Sequence, residues 1–374
     1  MQTAIPCCLF RGGTSKGPVF LATDLPKCRE QLSRVLLAVM GSPHPRQIDG
    51  LGGAESLTSK VAIVGRSSRP GSDVEYLFAQ VTPASGIVDF ESNCGNMLSA
   101  VGPFAVEKGL VRAAGSETSI RIHNLNTDSI IIARIETPGR QVTYEGTTAI
   151  DGVAGTAARI EQNFAGSVGS GTGALLPSGR AREEIEGVEV TCLDAGVPAV
   201  ILRAADLGKT GHEAKAQLDA DSDLIARLES VRLEAGMRMG IDPGRQDLIP
   251  KPIIVAAPRQ GGTLAARDFV PYNCHAAFSV TGAVALATAC LLPGSVPQDV
   301  LAGPSMRSRA VSIEHPSGSI DVQVAGQMQD GRLQLQEATV TRTCRKLFEG
   351  MVFVPSRIWN GRRSPGDLPS GSRS

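Results

Sequence analysis

Short apolar stretches, many of them alternating apolar with polar residues, recur along most of this chain and predict a fold built mainly from short β-strands. The stretches are rich in Val and Ile and are bounded by Gly, Pro, Asn or Ser, which favours strands over helices. They lie at residues 59–65, 74–82, 118–126, 129–136, 187–196, 198–206, 251–258, 311–326 and 338–344. Strands and helices do not alternate in order, so the pattern disfavours a doubly wound parallel sheet and predicts an α+β fold.

Two amphipathic helices and one short internal repeat, the Asn-Cys echo, complete the pattern. Residues 25–41 and 214–240 have the helical period. An Asn-Cys pair precedes a largely apolar stretch twice, as "NCGNMLSAVGPFAV" from Asn93 and as "NCHAAFSVTGAVAL" from Asn273, with the cysteines 180 positions apart (274 minus 94). Because a helix that is apolar on most sides belongs in a core, the echo predicts two similar domains, each with a sheet around a central helix. Two unrelated buried helices would give the same pattern.

The echo also suggests where the chain divides. We predict an N-terminal domain over residues 1–184 and a C-terminal domain over residues 185–345, followed by residues 346–360, which return toward the N-terminal domain. Residues 361–374 have the composition of a disordered tail. The charged segment "RTCRKLFEG" (342–350) is expected to form a short helix near the domain junction.

Composition and charge exclude several classes of function. Lys and Arg together number 37, as do Asp and Glu, so no global field attracts nucleic acid or an anionic membrane. Aromatic residues make up 4% of the chain, too few for base-stacking platforms. No run of about 18 apolar residues could span a membrane, and the first residues lack the features of a signal peptide. The eight cysteines include no CxxC pair, so we expect reduced thiols in a cytoplasmic protein without a metal site.

Cys94 is a candidate catalytic residue because of its position at the start of an apolar helix. Free N–H groups at a helix N-terminus stabilise a thiolate, and they can also hold a substrate carboxylate. Asn93 and Asn96 offer caps or further donors, while Gly95 would let a ligand approach the backbone. The alternative is a small thiol packed at a helix start, since free cysteine is often buried.

Two further segments carry candidate chemistry. Lys60 follows a glycine-rich turn and begins an apolar strand, where burial would lower the pKa of its amine and make it a usable base. The loop "FRGGTSKGPVF" (10–20) contains Arg11, Thr14, Ser15 and Lys16, donors suited to carboxylates. It does not fit the phosphate-loop pattern, because a serine precedes its lysine and a glycine follows it. The alternative is an ordinary turn with solvated charges.

Several motifs together resemble the family of methylaconitate isomerase and 4-oxalomesaconate tautomerase, which has the diaminopimelate epimerase fold. They are "RGGTSKG", "RQIDGLGGAESLTSKVAIV", "FAQV", "NCGNMLSAVGPFAVEKGLV" and "ATVTRTCRKLFEG", and the resemblance runs from about residue 5 to about residue 355. It implies two pseudo-symmetric domains, each a β-barrel-like sheet around a central helix, with the active site in the cleft between them. The segment from residue 36 to residue 64 is most similar to the 4-oxalomesaconate branch, which acts in bacterial gallate and protocatechuate degradation.

The resemblance implies an isomerase that moves a proton across an allylic system without a cofactor. The family's lysine and cysteine fall on Lys60 and Cys94, and the sequence leaves open which is base and which is acid. Substrate carboxylates would lie at the starts of the two central helices. Those positions are Gly95 and Asn96 in the first half and, by analogy, His275, Ser279, Thr281 and Gly282 in the second. Cys274 occupies the place of a second epimerase thiol, although His-Ala-Ala follows it instead of a glycine pattern.

A tricarboxylate substrate would need several donors. Arg11, Lys16 and Arg46 are candidate cations, and Thr14 and Ser15 could orient one carboxylate. Gly196 lies in a turn between two strands, where its backbone could approach the substrate. The edges of such sheets would also support a homodimer.

Three other functions match parts of the sequence. Within the enzyme class, the alternative is a 2-methylaconitate cis–trans isomerase of propionate metabolism. From another class, a non-catalytic protein could bind di- or tricarboxylates in the same cleft. The segment "GSGTGA" (169–174), with Asp194 following, fits a dinucleotide-binding fingerprint, but Pro177 and Gly179 interrupt the helix that it requires.

Overall fold

A computed structural model describes residues 1–242, 249–270, 273–303 and 308–361 of the chain. The strands are β1 (Gln2–Gly12), β2 (Ser15–Leu21), β3 (Lys60–Arg66), β4 (Val74–Val81), β5 (Val88–Asp89), β6 (Glu117–Asn124), β7 (Ser129–Glu136), β8 (Ile160–Asn163), β9 (Glu183–Ile185), β10 (Val188–Ala195), β11 (Val197–Arg203), β12 (Lys251–Ala256), β13 (Leu264–Asp268), β14 (Ser308–His315), β15 (Gly318–Gln329), β16 (Arg332–Arg342) and β17 (Cys344–Pro355). The helices are α1 (Arg29–Met40), α2 (Gly95–Leu98), α3 (Val101–Glu107), α4 (Lys215–Asp219), α5 (Ser222–Arg238) and α6 (Val280–Leu291).

Strand pairing follows the same order in the two halves of the chain. In the first half, β1–β2 is antiparallel, β2–β3 parallel, β3–β4 antiparallel, β4–β6 parallel and β6–β7 antiparallel. In the second half, β10–β11 is antiparallel, β11–β12 parallel, β12–β13 antiparallel, β13–β14 parallel and β14–β15 antiparallel. Strand β8 pairs with both β7 and β16 and so joins the halves. The echo in the sequence therefore reflects a repeated topology.

A central helix lies inside each half. Helices α2 and α3 pack against β1, β2, β3 and β7, whereas α6 packs against β10, β11, β12, β14, β15 and β16. All residues of α6 are buried, and most are Ala, Val, Thr or Gly, which let the sheet approach on every side. The two helices meet where a Cβ built on Gly95 would lie 2.6 Å from the side chain of Val280. The sequence predicted both central helices, but the second begins at Val280 and not directly after Cys274.

Two predictions of local structure need correction. The predicted helix at 214–240 is two helices, α4 and α5, because the side chain of Asp221 caps the second by accepting the N–H of Leu224. The prediction of a short helix in "RTCRKLFEG" is wrong, because these residues end β16 and begin β17. Strand β17 pairs antiparallel with β1 along its length, a contact that no local pattern reveals.

The domain boundaries at residues 184, 345 and 360 stay predictions. Strand β17 does bring the end of the described chain back beside the first strand, where Ser356 donates its N–H to the carbonyl of Met1. The predicted tail lies outside the described residues from residue 362 onward. In the ranges that the structure describes, no helix has the length and apolar character needed to cross a membrane.

Candidate active site

A cavity of about 390 Å³ lies between the two halves, beside the adjoining ends of α2 and α6. Both halves contribute to its wall, so its shape depends on how the two central helices meet. The predicted site residues that line it are Ser15, Lys60, Asn93, Cys94, Gly95, Asn96, His275, Ser279 and Thr281.

Lys60 is the first residue of β3 and is 8% exposed. Burial lowers the pKa of its ammonium group and Lys251 adds to this effect, whereas Cys94 and Asp89 oppose it. The Nζ atom donates to Oε1 of Gln80 over 2.6 Å. A lysine with a lowered pKa can act as a base closer to neutral pH than an exposed lysine can.

Cys94 is the N-cap residue of α2 and is also 8% exposed. Its Sγ accepts the N–H of Met97 over 3.5 Å, and its carbonyl accepts the hydroxyl of Tyr76 over 3.2 Å. The first contact holds the thiol at the helix start and the second fixes the backbone of the residue, and Cys94 lines the cavity. This is the position that the sequence predicted for it.

Asn96 fixes the turn between β1 and β2 against α2. Its Nδ2 donates to Oγ1 of Thr14 over 3.1 Å, and its Oδ1 accepts the N–H of Thr14 over 3.4 Å. Gly13 is required here, because its φ is +52° and a Cβ would lie 2.1 Å from Oδ1 of Asn96. The hydrogen bonds between Asn96 and Thr14 bring Ser15 to the cavity. The buried Oγ of Ser15 has no hydrogen-bond partner there among the described residues.

The start of α6 carries a second group of polar side chains. Ser279 is the N-cap, and its Oγ accepts the N–H of Gly282 over 3.1 Å. Asp268 is fully buried beside it and accepts the N–H of Ser279 over 3.0 Å. Lys251, the first residue of β12, donates to Oγ of Ser279 over 3.3 Å and lines the cavity. The protein's own carboxylate thus occupies the helix start where the resemblance predicted a substrate carboxylate.

His275, and not Cys274, is the member of the second Asn-Cys stretch that faces the cavity. Nδ1 of His275 accepts the N–H of Ala277 over 3.0 Å, so the ring carries its proton on Nε2 and is neutral. Burial lowers the pKa of His275 to about 3, with Lys251 and Lys60 contributing. The Cys274 thiol contacts the carbonyl of His275, and burial raises its pKa to about 12.

The glycine-rich segment that resembles a dinucleotide fingerprint forms part of the cavity wall. Oδ2 of Asp194 accepts the N–H groups of Gly171 and Thr172 over 2.8 and 2.9 Å, and also the Thr172 hydroxyl over 3.0 Å. These amides are therefore not free to hold a pyrophosphate. Ser170 and Gly171 line the cavity in a loop that Asp194 keeps in shape.

Seven predicted residues lie outside the cavity wall: Arg11, Thr14, Lys16, Arg46, Gly196, Cys274 and Gly282. Arg11 donates to the carbonyls of Gly13 and Thr343, both over 2.9 Å, so its guanidinium is used within the protein. Lys16 follows Ser15 in β2 and points to the other face of the sheet, because side chains alternate along a strand. Arg46 is exposed.

The sequence also did not point to several polar residues at or beside the cavity, among them Gln80, Lys251 and Asp268. Lys251 had a signal, because "KPIIVAAP" begins with a lysine before an apolar strand, as "KVAIV" does at Lys60. Gln80 lies in the motif "FAQV", to which no role had been assigned. In the described part of the chain, no group of three or more His, Cys, Asp or Glu side chains is arranged to hold a metal ion.

Two sheet-wrapped halves with a cleft between their central helices define an α+β protein of the diaminopimelate epimerase-like class. A hydroxyproline epimerase of Agrobacterium vitis has the same fold, with a TM-score of 0.54 at 12% identity over 94% of this chain and 92% of that one. The chain belongs to the PrpF family, whose model, described as PrpF protein, matches residues 2–355.

Two relatives and one solved structure of this family cover nearly the whole chain. A 4-oxalomesaconate tautomerase of Pseudomonas putida is 49% identical over 360 residues, which are 96% of this chain and 99% of that one. A (4E)-oxalomesaconate Delta-isomerase of Novosphingobium sp. is 48% identical over 353 residues, 93% of this chain and 97% of that one. The crystal structure of a methylitaconate-delta-isomerase has a TM-score of 0.79 at 32% identity, covering 99% of this chain and 100% of that one.

These comparisons confirm three predictions: the family, the α+β epimerase-like fold and the class of enzyme, an isomerase. The alternative of a non-catalytic carboxylate-binding protein is not supported, because both relatives are named for an isomerisation. The assignment of individual site residues stays a prediction.

Proposed function

We propose that this protein moves a proton across the allylic keto–enol system of 4-oxalomesaconate, a tricarboxylate, in the bacterial degradation of gallate and protocatechuate. The observation that carries the proposal is the presence of the Lys60 amine and the Cys94 thiol on the wall of one cavity. The names of the two relatives support this substrate.

The chemistry needs an acid, a base and a means to stabilise negative charge. A C–H bond beside a carbonyl and conjugated to a carboxylated alkene ionises to a dienolate, so a modest base is sufficient when the oxyanion is stabilised. One member of the Lys60–Cys94 pair removes the proton, and the other returns a proton at the far end of the three-carbon unit. This reaction requires neither a metal nor an organic cofactor.

His275 is the proposed donor to the dienolate oxygen. Because Nδ1 accepts the N–H of Ala277, the neutral ring presents Nε2–H as a hydrogen-bond donor. A neutral donor stabilises the oxyanion as charge develops and does not lose its proton in the process.

Substrate carboxylates are proposed to bind to the polar groups that line the cavity. Lys251 supplies a cation on the side of α6. Ser15 supplies a hydroxyl that has no other partner among the described residues, beside the start of α2. Ser279 accepts a hydrogen bond from Lys251, and Asn96 holds the turn that precedes Ser15, so these two residues position the cation and the hydroxyl on the cavity wall.

Proton exchange in heavy water, followed by NMR with 4-oxalomesaconate, tests the proposal. Wild type should promote deuterium uptake at the allylic carbon. We expect Lys60→Ala and Cys94→Ser to lose about 10²- to 10⁴-fold in rate, as is usual when an acid or base is removed. Lys16→Ala and Cys28→Ser are matched controls, because Lys16 lies outside the cavity wall and Cys28 is exposed. If wild type promotes no exchange, 4-oxalomesaconate is not the substrate, and 2-methylaconitate would be the next compound to measure.

We also propose that the protein works in the cytoplasm as a homodimer and does not bind nucleic acid. The balanced formal charge supports the last point. In the described part of the chain the register of β17 is given by its pairing with β1, and β17 exposes Leu347, Phe348, Met351 and Phe353. Light scattering should give about twice the chain mass of 39.0 kDa, and a mass of one chain would refute the dimer.

A further inference from the structure

The start of α6 repeats, in the second half of the chain, the arrangement that the first half has at Lys60 and Cys94. Lys251 begins β12 as Lys60 begins β3, and each of these strands runs parallel to the strand before it in the repeat. Ser279 caps α6 as Cys94 caps α2, and each side chain accepts the N–H of the residue three positions later. The repeat therefore makes Ser279, and not Cys274, the counterpart of Cys94.

A buried carboxylate, that of Asp268, lies against the start of α6. Asp268 ends β13, is 0% exposed and is not among the residues that line the cavity. Its Oδ2 accepts the N–H of Ser279 over 3.0 Å, and a Cβ built on Gly282 would lie 3.1 Å from the same oxygen. Its Oδ1 is also buried and has no hydrogen-bond partner among the described residues. The carboxylate therefore fills the space directly at the helix start.

We propose that Asp268 is a specificity-determining residue whose carboxylate fills the anion site at the start of α6, so that a substrate carboxylate on this side of the cavity binds to Lys251 instead of the helix. A helix N-terminus offers unpaired N–H groups and the positive end of the helix dipole, which favour an anion. A second carboxylate cannot enter the same site, because both the occupied volume and the like charge oppose it. The proposal rests on the function proposed above and extends it by stating what the second half requires of the substrate.

The unpaired oxygen of Asp268 argues against a purely structural role. Burial of a carboxylate costs free energy unless its oxygens are hydrogen-bonded. Burial raises the pKa of Asp268, an effect that Lys251 and Ser279 oppose. The helix does not need a carboxylate as its cap, because the hydroxyl of Ser279 already accepts the N–H of Gly282 over 3.1 Å. The cost of burying this group is therefore explained by a role at the site.

The same carboxylate also places the ammonium group of Lys251. Nζ of Lys251 donates to Oγ of Ser279 over 3.3 Å, and the backbone of Ser279 is held by Asp268. An ammonium group has three N–H bonds, so two remain for a carboxylate in the cavity that Lys251 lines. A chain of contacts from Asp268 through Ser279 to Lys251 thus fixes where this substrate carboxylate must lie.

The arrangement selects substrates by their number of carboxylates. A substrate with two or more carboxylates can bind Lys251 with one of them and the hydroxyl of Ser15, beside the start of α2, with another. A monocarboxylate leaves one of these groups without a partner, and an unpaired polar group in a closed site costs affinity. Because the start of α6 is already filled, the helix cannot replace Lys251 in this role. We therefore expect polycarboxylates to bind and monocarboxylates to bind weakly.

Thermal unfolding in formate, the smallest carboxylate, tests the filled site without substrate. Asp268→Ala vacates the start of α6, so saturating sodium formate should raise its Tm about 2–5 °C above the value in sodium chloride of equal ionic strength. Wild type and Asp268→Asn, whose side chain still fills the site, should give equal Tm values in the two salts. Asp221→Ala, which removes the cap of α5 outside the cavity wall, is the matched control and should also give equal values. If Asp268→Ala is unfolded in chloride, the yield of folded protein on refolding in formate and in chloride gives the same comparison.

Exchange kinetics with 4-oxalomesaconate test the consequence for substrate binding. Lys251→Met removes the cation, so KM should rise about 10- to 100-fold with a smaller change in kcat. In the double variant Lys251→Met/Asp268→Ala the vacated helix start can receive the substrate carboxylate, so KM should fall about tenfold from the value of Lys251→Met. Formate should compete for this vacated site and raise the KM of the double variant, but not that of Lys251→Met.

Two results would overturn the proposal. Equal Tm values, or equal refolding yields, of Asp268→Ala in formate and in chloride would show that the start of α6 binds no anion. A KM of the double variant as high as that of Lys251→Met would show that the helix start does not compete with Lys251 for the substrate carboxylate. The formate measurement also separates this proposal from the proposed function. Stabilisation of Asp268→Ala by formate, with no exchange activity in wild type, would support the filled anion site and reject 4-oxalomesaconate as the substrate.

Discussion

His275 and His315 are each 8% exposed, and each uses Nδ1 to accept a backbone N–H, from Ala277 over 3.0 Å and from Ser317 over 3.2 Å. Burial lowers the pKa of His275 to about 3 and that of His315 to about 4. Both rings are therefore neutral in the folded protein at pH values where an unfolded chain protonates them. In this pH range the folded protein binds two fewer protons than the unfolded chain, so its free energy of unfolding depends on pH.

We expect the free energy of unfolding to fall as pH decreases from about 6.5 to about 4, by about 1.4 kcal/mol per pH unit for each such histidine. The sign follows because the unfolded state binds the proton and the folded state does not. Urea denaturation of wild type and His315→Gln at pH 7, 6 and 5 checks this. His315→Gln should lose part of the slope, and His44→Gln, which replaces an exposed histidine, should keep all of it. Equal slopes in all three proteins would contradict the prediction.

The sequence could point to Lys60, Cys94 and Ser15, which line the cavity, because each combines a chemically suitable side chain with a position at the start of a strand or helix. The sequence could not tell which of the neighbours Ser15 and Lys16 faces the cavity. The face of β2 that meets the cavity is set by the packing of α2 against β1 and β2. Nor could the sequence show that Arg11 is used within the protein, because its guanidinium donates to the carbonyl of Thr343, more than three hundred positions away. These choices depend on tertiary contacts, and local patterns do not contain them.

At the scale of elements, the starts of α2 and α6 touch at Gly95 and Val280. A Cβ on Gly95 would lie 2.6 Å from both Cβ and Cγ1 of Val280, closer than such atoms approach, and 3.3 Å from the ring of Phe164. Glycine is required at this point because two helices from different halves come together, and not because of an unusual φ. The cavity beside this contact depends on the same spacing.

Gly95→Ala should therefore destabilise the protein by about 1–3 kcal/mol, since one helix must move away from the other. Val280→Ala makes room for the added methyl group, so the double variant should cost less than the sum of the single variants, with a coupling of about 0.5–3 kcal/mol. Urea denaturation of the four proteins measures the coupling. Gly115→Ala is the control, because a Cβ at Gly115 meets nothing within 4 Å. Strict additivity of the two substitutions would show that the contact is not as close as described.

Most strands and the two central helices could be predicted, because alternation and uninterrupted apolar runs are local properties of the sequence. The start of α6 could not be predicted, since Cys274 and His275 precede the helix in a segment where the N–H of His275 bonds to the carbonyl of Asp268 and that of Cys274 to the side chain of Asp219. Strand β17 was missed for a related reason. The local sequence at its charged start predicts a helix. Its pairing with β1, at the opposite end of the chain, makes this segment a strand.

For the molecule as a whole, the two halves share both a strand and a core. Strand β8 pairs with β7 of one half and β16 of the other, and Phe164, which follows it, is fully buried in the core that contains α3 and α6. No polar boundary separates the halves at this point. Two domains that share a core in this way should unfold together, although a chain of 374 residues is long enough for two independent domains.

We expect one cooperative transition, seen equally by probes in both halves. The single tryptophan, Trp359, packs beside the core of α1 and β17 and reports on the first half by fluorescence. Hydrogen exchange of α6 reports on the second half.

Phe164→Ala should lower the free energy of unfolding by about 3–5 kcal/mol and shift both probes to the same urea concentration, because the lost contact belongs to both halves. Met328→Ala, at a side chain 48% exposed on β15, should change neither transition by more than about 0.5 kcal/mol. Separate midpoints for Trp359 and α6 would show that the halves are stable on their own and that the cleft is a contact between independent domains.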